Sequence, residues 1–360
     1  MTLVEQLNTI KNQRGRAELH PYDKIPCNET SDVARLCKSP VVSVVMITYN
    51  HEPYIRQAID SILCQKTDFE FELVIGEDCS TDKTREICFE YQNLHPEKVR
   101  VLWSSRNLNS IGLSNEQRTI SHCRGEYLAF CEGDDYWTDS QKLQKQVDLI
   151  RVKKAVMCVA FTDWTYPDGR VVHSVYENKE FVTFEDFKNH YFHTTTYLIN
   201  RNAYGEMRLR YKDIDAWTDM KVEFCMESIG KICLLPETVS TYRWSGSGVA
   251  SSLDAAGSAE FHAKMMYCLA WHGPEAHRPY FARRALAALD GLFMVNRRYR
   301  PTLLSPQHFM AFFRAHWIFE GRSILYDVEY LLSVAYYLIR ICFVKLNLGN
   351  VFSNLSDNRG

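Results

Sequence analysis

The chain has 360 residues, 46% of them apolar, and its 42 Lys and Arg residues nearly balance 44 Asp and Glu residues. This length allows one large domain or two ordinary ones, with enough apolar side chains for a substantial core. A net charge of −2 and a pI near 6.6 argue against a dedicated nucleic-acid binder, which usually carries a strongly basic surface.

Signals for export and for membrane crossing are both missing from this sequence. The 12 cysteines are scattered without a Cys-x-x-Cys pair, which favours reduced thiols over a disulfide framework. Residues 1–10 lack the basic and apolar regions of a signal peptide. The most apolar segment, residues 330–339, is shorter than the ~20 residues that a spanning helix needs. We therefore expect a cytoplasmic protein.

The first elements predicted are an N-terminal extension, a strand and a helix. Residues 1–40 contain three prolines and little periodicity, so we expect them to pack irregularly or not at all. Residues 41–48 (VVSVVMIT) form a β-branched run, typical of a strand covered on both faces of a parallel sheet. Apolar residues then recur at helical spacing over 55–62.

The alternation of strands and helices continues to about residue 150. Strands are predicted at 71–76, 99–103 and 127–131, and helices at 87–94, 114–122 and 141–152. Repeated βα units imply a doubly wound, mostly parallel sheet of the α/β class. Ligands of such sheets bind beyond the carboxyl ends of the strands.

The pattern changes from parallel to antiparallel after residue 155. A hairpin is predicted from residues 156–165 and 170–175, which flank Pro167-Asp168-Gly169. The later elements are a helix at 217–227, a strand at 231–235, a Gly/Ser-rich loop at 242–252 and helices from about 258 onward. We therefore expect a small antiparallel part and a helical C-terminal region.

Three carboxylates crowd directly behind the strand at 127–131. Glu132, Asp134 and Asp135 fall within a span of four positions, and like charges this close repel one another unless a cation compensates them. Mg²⁺ or Mn²⁺, held by one or two carboxylates together with substrate phosphates, suits such a group. Other polar residues after strands, such as Ser80 and Asp82, are as well explained as turn formers or helix caps.

The sequence lacks several common catalytic motifs. It has no P-loop, no Gly-x-Gly-x-x-Gly after the first strand, no zinc-ligand spacing and no Gly-x-Ser-x-Gly elbow. Phosphates would therefore have to be held by a metal ion. His193, before three threonines, is compatible with a functional role and equally with a locally hydrogen-bonded position at a strand edge.

Four segments in this order resemble the inverting family 2 glycosyltransferases of the GT-A fold, of the type that builds bacterial surface polysaccharides. They read VVMITYNHEPYIRQAIDSIL, GEDCSTDKT, CRGEYLAFCEGDDYWTDSQKLQKQVD and WTDMKVEFCMESIGKICLLPETVSTYR. The resemblance extends from Val42 to Ser252 and excludes the last hundred residues. It implies a catalytic domain at 41–257 between the extension at 1–40 and the helical region at 258–360.

The resemblance also implies a nucleotide-sugar donor, with a UDP-sugar as the first expectation, and a Mn²⁺ or Mg²⁺ ion. The donor would be bound by Thr48, Tyr49, Asn50, Glu52, Asp78, Arg118, Asp134 and Arg243. Thr48 and Tyr49 would line the nucleotide pocket, and Asp78 would hydrogen-bond the base. Asp134 would lie near the ribose or sugar, and Asp135 would bind the ion that bridges the diphosphate.

The same resemblance makes Asp219 the catalytic base, with Asp213 and Asp215 as nearby alternatives. A carboxylate opposite the leaving group can take the proton of the acceptor hydroxyl, and attack from that face inverts the anomeric centre. One departure from the family is visible. Many relatives have His after the Tyr-Arg pair, whereas this chain reads Tyr242-Arg243-Trp244-Ser245, so Arg243 or a serine would have to replace the diphosphate contact or metal ligation expected of that histidine.

The implied acceptor is a hydroxyl of a saccharide or lipid-linked saccharide, and no nucleic-acid partner is expected. Residues 258–360 carry 12 Lys and Arg against 7 Asp and Glu, a net +5 that leaves −7 for residues 1–257. This basic, aromatic region is either a helical appendage with a solvated face or, through residues 278–345, a peripheral contact with anionic membrane.

Two other functions fit parts of the sequence. A nucleotidyltransferase that makes nucleotide sugars would carry a Gly-rich triphosphate loop after the first strand, and Asn50-His51-Glu52-Pro53 supplies none. A non-catalytic carbohydrate-binding relative would leave the three aspartates Asp78, Asp135 and Asp219 without a role.

Overall fold

The computed structural model describes residues 27–108, 110, 114–174, 176–214 and 219–244, together with parts of 262–287. The chain divides into two compact units. The first contains Met1–Arg210 and Val222–Ser245, and the second contains Tyr211–Lys221 and Gly246–Gly360. The domain boundaries predicted at residues 40 and 257 stay a prediction.

The first unit is built on one mixed sheet. Its strands are β1 (Asn28–Thr30), β2 (Val42–Thr48), β3 (Phe71–Glu77), β4 (Val99–Trp103), β5 (Tyr127–Phe130), β6 (Tyr136–Trp137), β7 (Met157–Thr165), β8 (Val171–His173), β9 (Phe181–Val182), β10 (Leu198–Asn200) and β11 (Ile232–Arg243). Their order is β1-β4-β3-β2-β5-β10-β7-β11-β6, with β8 beside β7 and β9 beside β11.

Seven helices lie between residues 55 and 226, and six of them belong wholly to the first unit. They are α1 (Ile55–Leu63), α2 (Thr84–Leu94), α3 (Asn115–Ser121), α4 (Lys142–Lys153), α5 (Phe184–Asn189), α6 (Arg201–Arg210) and α7 (Asp219–Met226), the last of which crosses the boundary between the units. A 3₁₀ turn covers Thr194–Thr196. The apolar stripe predicted from residue 55 onward is buried on α1, so the α/β class expected from periodicity is confirmed.

Strand β2 lies at the centre of the parallel part, between β3 and β5, and β4 extends this part beyond β3. All but one of the β2 side chains are buried, as its β-branched sequence predicts. The chain leaves β2 toward β3 and β4 on one side and reaches β5 on the other. This change of direction makes a crevice at the carboxyl ends of β2 and β5, the place where such sheets bind ligands.

The antiparallel part differs in detail from the sequence prediction. The predicted hairpin forms between β7 and β8, where Gly169 takes a positive φ of 81°. Strand β10, which was not predicted, pairs antiparallel with both β5 and β7. Strand β11 runs parallel to β7 as far as Arg243, so Tyr242 and Arg243 belong to a strand and not to the predicted loop. A long-range hydrogen-bond ladder fixes these residues, and local composition does not report such a ladder.

A second difference concerns the N-terminal extension. Residues 28–30 form the edge strand β1, which pairs antiparallel with β4, and Glu29 binds Arg100 at 2.8 Å. The prediction of irregular packing is therefore wrong for this segment, because a distant strand supplies its partners. Residues 1–26 lie outside the described residues.

The described residues of the second unit between 262 and 287 are mostly helical, as its composition predicts. Buried Met265, Leu269 and Phe281 form part of its core, and a 3₁₀ turn covers Glu275–His277. Most of the region predicted to contact a membrane lies beyond the described residues. Within the part of the chain that the structure describes, no helix is long and apolar enough to cross a bilayer, and the cysteines are free thiols.

Candidate active site

The carboxyl ends of β2, β3 and β5 meet in the crevice described above. The backbone N–H of Asp78 donates to the carbonyl oxygen of Thr48 at 3.0 Å, and that of Gly133 donates to Ile47 at 3.0 Å. A Cβ on Gly133 would lie 2.6 Å from Thr48 Oγ1 and 2.9 Å from His51 Nδ1, so only glycine allows this approach. These two buried polar atoms have no hydrogen-bond partner among the described residues.

The loop after β2 is fastened to the loop after β3. Asn50, which has a positive φ of 56°, accepts from the N–H of Thr81 through Oδ1 at 2.8 Å. Glu52 accepts from the N–H of Lys83 at 3.1 Å, and Asp82 accepts from the N–H of Glu52 at 3.1 Å. Asn50 and Glu52 thus hold loops together, and their predicted part in donor binding stays a prediction.

Tyr49, another residue predicted to bind the donor, is exposed beside these loops. Its ring takes no part in the hydrogen bonds by which Asn50 and Glu52 join the loop after β2 to the loop after β3. The backbone therefore presents the Tyr49 ring to solvent at the carboxyl end of β2.

Asp78 directly follows β3, and Arg118 packs against the end of that strand. Asp78 is buried and accepts from the N–H of Leu108 through Oδ1 at 2.7 Å. Arg118, on α3, is fully buried and donates to the carbonyl oxygens of Glu77 and Leu102, at 2.9 and 3.3 Å. Burial lowers the pKa of Arg118. Its Nε and Nη1 have no acceptor in the described part of the chain. The guanidinium therefore holds the end of β3 in place, directly before Asp78.

Asp135 is the most deeply buried of the three crowded carboxylates. Its Oδ1 accepts from the backbone N–H of Arg243 at 2.9 Å, while no described group donates to its Oδ2. Burial raises the pKa of Asp135 well above its ordinary value, and the nearby Asp134 and Glu132 carboxylates raise it further. The buried oxygen is therefore an electrostatically costly group without a compensating partner.

The imidazole of His193 lies against that oxygen. Its Nδ1 is 3.9 Å from Asp135 Oδ2 and accepts from the N–H of Thr195 at 3.3 Å. Burial lowers the pKa of His193 to about 3, so the ring is neutral at neutral pH. Since Nδ1 accepts a hydrogen bond, it carries no proton to share with Asp135. The sequence left the role of His193 open, and the structure brings it to the carboxylates.

This arrangement fits a divalent cation bound mainly by its substrate. Within the described residues no three His, Cys, Asp or Glu side chains form a complete metal-binding group. Mg²⁺ and similar ions, however, commonly take one or two protein ligands and fill the remaining positions with phosphate oxygens and water. Asp135 Oδ2 is suited to that small protein contribution, because no described group donates to it.

Arg243 connects the end of β11 to the carboxylates, 108 residues away from Asp135 in sequence. Its guanidinium donates to the carbonyl oxygen of Asp134 at 2.5 Å and also to Gln57. It lies over the ring of Tyr136, 4.4 Å from the centroid. The structure therefore brings together Asp134, Asp135 and Arg243, which the sequence assigned to donor and metal binding. The contacts of Arg243 hold its positive charge in a fixed position.

Two further contacts complete the group. Thr194 donates to Glu132 Oε1 at 3.1 Å, and His51 Nε2 lies 3.8 Å from Asp134 Oδ2. Burial lowers the pKa of His51. The threonine run after His193 therefore acts as a hydrogen-bonding neighbour of the carboxylates, a role that the sequence pattern alone did not reveal.

Asp219, the predicted base, is the first residue of α7 and belongs to the second unit. Asp213 belongs to the same unit, and Asp215 lies outside the described residues. The choice among these carboxylates stays a prediction.

An aromatic group that the sequence pattern did not predict lies around His193. The ring of Tyr242 lies 4.3 Å from the imidazole centroid and that of Trp164 lies 6.1 Å away. Trp164 and Tyr242 are partners in the β7–β11 register, and Trp244 follows two residues later. Since side chains two residues apart share a face of a strand, the spacing Tyr242-x-Trp244 was an available signal.

Comparison with known proteins identifies the domain that carries this site. The family described as "Glycosyl transferase family 2" matches residues 43–213. Residues 43–213 of this chain are therefore similar to glycosyl transferase family 2. The match covers the ends of β2, β3 and β5 and the carboxylates that follow β5.

Relatives with matching sequence come from several bacteria. Protein Rv1520 of Mycobacterium tuberculosis is 34% identical over 217 residues, which are 58% of this chain and 60% of that protein. The chain thus spans about 60% of the length of this relative. TuaG of Bacillus subtilis, whose name provisionally assigns it as a teichuronic acid biosynthesis glycosyltransferase, is 26% identical over 57% of this chain and 83% of its own.

Solved structures agree with the GT-A fold that the resemblance implied. Residues 1–349 of Staphylococcus aureus TarS, in a complex with UDP-GlcNAc, match with a TM-score of 0.52 and 19% identity, over 76% of this chain and 79% of that one. The complex of the same protein with UDP gives a TM-score of 0.51. The expected α/β fold with a mostly parallel sheet is confirmed.

Proposed function

We propose that this protein is an inverting, divalent-metal-dependent glycosyltransferase. It moves a sugar from a nucleoside diphosphate, in the first place a UDP-sugar, to a hydroxyl of a saccharide or lipid-linked saccharide in surface polysaccharide synthesis. The observation that carries the proposal is the buried, unpartnered Oδ2 of Asp135 beside His193 in the crevice of a family 2 domain. The UDP-GlcNAc bound by TarS and the name of TuaG support this choice of donor and product.

The donor is assigned to the crevice between β2 and β5. The nucleobase of the donor would lie toward Asp78, and the buried Arg118 would hold that segment in place. Thr48 Oγ1 would face the nucleotide. Tyr49, Asn50 and Glu52 would then border the nucleotide through the loop after β2. Asp134 would face the ribose or sugar.

Asp135 would hold Mn²⁺ or Mg²⁺, with His193 beside it, and the diphosphate would complete the coordination. When bound, the ion supplies Lewis-acid stabilisation of the charge on the departing diphosphate. Arg243 adds a second positive charge whose position is fixed by its contacts with Asp134 and Gln57. A fixed positive charge in a partly buried site stabilises developing negative charge better than a mobile one.

Asp219 would act as the general base for the acceptor hydroxyl. Such a base contributes about 10²- to 10⁴-fold to the rate. Attack opposite the diphosphate gives inversion at the anomeric carbon. We place the activity in the cytoplasm, with the acceptor at the inner face of the membrane.

The alternative functions receive less support. The loop after β2 is fixed by Asn50 and Glu52 and has no glycine-rich segment for a triphosphate, which disfavours a nucleotidyltransferase. A non-catalytic binding protein would gain nothing from keeping a buried carboxylate without a hydrogen-bond donor, because such a group destabilises the fold.

The test is a panel of UDP-, GDP- and dTDP-sugars, each with and without Mn²⁺, in which release of the nucleoside diphosphate is measured. We expect metal-dependent release with one class of donor, and a loss of at least about 100-fold in Asp135→Ala. Asp139→Asn is the matched control, since this carboxylate lies four residues on and binds Lys145. Equal metal-dependent release by Asp135→Ala and the wild type would contradict the proposal.

A further inference from the structure

A group of aromatic side chains beyond β7 and β11 is not used by the chemistry proposed at Asp135. We define the aromatic platform as Trp164, Tyr191, Tyr242 and Trp244. Trp164 contacts each of the others, with ring centroids 6.2 Å from Tyr191, 4.8 Å from Tyr242 and 6.3 Å from Trp244. The four rings therefore form one continuous surface.

Two rings of the platform remain open to solvent. Trp244 is 37% exposed and Tyr191 is 36% exposed, although both belong to the group that packs around Trp164. The rings of Trp164 and Trp244 are inclined by only 26°, so they stack and present similar orientations. An apolar surface that stays exposed next to a polar crevice is a common feature of ligand-binding sites.

The side chain of His193 lies between the platform and the carboxylates. The His193 ring lies 6.1 Å from Trp164 and 4.3 Å from Tyr242, and its Nδ1 lies 3.9 Å from Asp135 Oδ2. A molecule on the platform therefore adjoins the place assigned to the diphosphate and the donor sugar.

The order of strands gives the platform its position relative to the donor. Asp78 follows β3, the carboxylates follow β5, and the platform lies at the ends of β7 and β11, in the sequence β3-β2-β5-β10-β7-β11. Neighbouring strands are about 4.8 Å apart, so β7 is about 10 Å from β5. The nucleobase, the diphosphate, the transferred sugar and the acceptor can thus lie one after another along this edge of the sheet.

The chemistry of the platform selects its occupant. Aromatic faces pack against the C–H face of a pyranose ring, while the hydroxyls at the perimeter of that ring remain available for transfer. The carboxylates of Glu132 and Asp134, beside the site assigned to the ion, disfavour an anionic ring. We propose that the aromatic platform is the acceptor subsite, on which a neutral pyranose stacks against Trp244 and Tyr191. This inference rests on the proposed function, whose donor and metal residues it leaves unchanged.

The test uses the full chain and methyl β-glycosides of glucose, galactose and N-acetylglucosamine as probe acceptors. Trp244→Ala should raise the KM for the glycoside about tenfold, equivalent to about 1.4 kcal/mol, and should change the KM for the donor much less. Tyr191→Ala should act in the same direction, and Trp244→Phe should restore most of the loss. Val152→Ala, at a position 76% exposed on α4, is the control and should match the wild type.

A second measurement does not depend on turnover. Titration of the wild type with the same glycosides, in the presence of UDP and Mn²⁺, should change the tryptophan fluorescence in a saturable manner, and Trp244→Ala should lose that change. An unchanged glycoside KM in Trp244→Ala, or no saturable signal in the wild type, would overturn the acceptor subsite. Absence of donor turnover together with a saturable fluorescence change would instead contradict the proposed function and leave the saccharide subsite standing.

Discussion

Asp135 and Arg243 show how a buried carboxylate can be held in a reactive state. The backbone N–H of Arg243 occupies one oxygen of Asp135, and the other oxygen faces the unprotonated Nδ1 of His193. Neither neighbour donates a proton to that oxygen, so its charge is neutralised either by a proton bound to the carboxylate itself, as the raised pKa of Asp135 indicates, or by a cation. The guanidinium of Arg243 is turned to Asp134 and Gln57, which keeps a positive charge close without quenching Asp135.

The identity of the base is tested at the same scale. Asp219→Asn should leave the affinity for UDP and Mn²⁺ within about twofold of the wild type and lower kcat by about 10²- to 10⁴-fold, since only proton removal is lost. Asp213→Asn and Asp215→Asn are the matched controls. Calorimetric titration of UDP and single-turnover transfer measure the two quantities. Normal kcat in Asp219→Asn together with a collapse in Asp215→Asn would transfer the role to Asp215.

At the scale of elements, helix α4 supports the turn that carries His193. Lys142 and Gln146 are both fully buried on α4, and Lys142 Nζ donates to Gln146 Oε1 at 2.8 Å. Gln146 donates in turn to the carbonyl oxygen of Thr196 at 2.7 Å, and Trp137 donates to that of Thr195 at 3.0 Å. The polar inward residues of α4 and the short strand β6 therefore hold the 3₁₀ turn against the carboxylates.

Burial lowers the pKa of Lys142 to about 7, from an ordinary value of 10.5. Between these two pH values the unfolded chain binds a proton that the folded protein does not, so stability rises with pH across this window. Below pH 7 both states are protonated and the full penalty of burying the charge remains. Replacement of Lys142 by an apolar residue removes this pH-dependent penalty.

Lys142→Met should therefore stabilise the protein more at pH 6 than at pH 9, relative to the wild type, by an amount on the order of 2 kcal/mol. Urea unfolding at the two pH values gives the comparison. Lys145→Met is the control on the same helix, because Lys145 is partly exposed and paired with Asp139 and Glu237. A difference between variant and wild type that is the same at both pH values would show that Lys142 is not the titrating group.

The whole first unit arranges its chemistry along one edge of the sheet. Loops after β2, β3 and β5 border the crevice, and the aromatic platform lies at the far end, beyond β7 and β11. The strands that border this edge, β2, β3, β5, β7 and β11, each have hydrogen-bonded neighbours on both sides. A ligand that spans the edge therefore binds a surface that is already formed, and its binding energy adds to the stability of the fold.

Thermal unfolding measures that linkage in the whole molecule. At a ligand concentration about 100 times the dissociation constant, binding contributes about 2.7 kcal/mol, or roughly 5–10 °C in Tm for a domain of this size. UDP with Mn²⁺ should raise Tm by more than the sum of the two ligands added singly. In Asp135→Ala the contribution of Mn²⁺ should disappear. An equal effect of Mn²⁺ in both proteins would place the metal elsewhere.

Much of this protein follows from local sequence. The β-branched run of β2, the stripe of α1 and the βα alternation predict the parallel core, because burial on both faces of a strand and on one face of a helix requires those periodicities. The crowding of Glu132, Asp134 and Asp135 likewise predicts a bound cation, since three like charges within four positions repel one another unless a cation compensates them.

The remaining features were decided by tertiary structure. Strands β1 and β10 and the extension of β11 to Arg243 exist because distant strands complete their hydrogen bonds. The meeting of Asp135 with His193, and the aromatic platform around them, depends on strand order, which no local pattern encodes. Sequence alone determined which residues could carry the chemistry, and the pairing of distant strands determined which of them face one another.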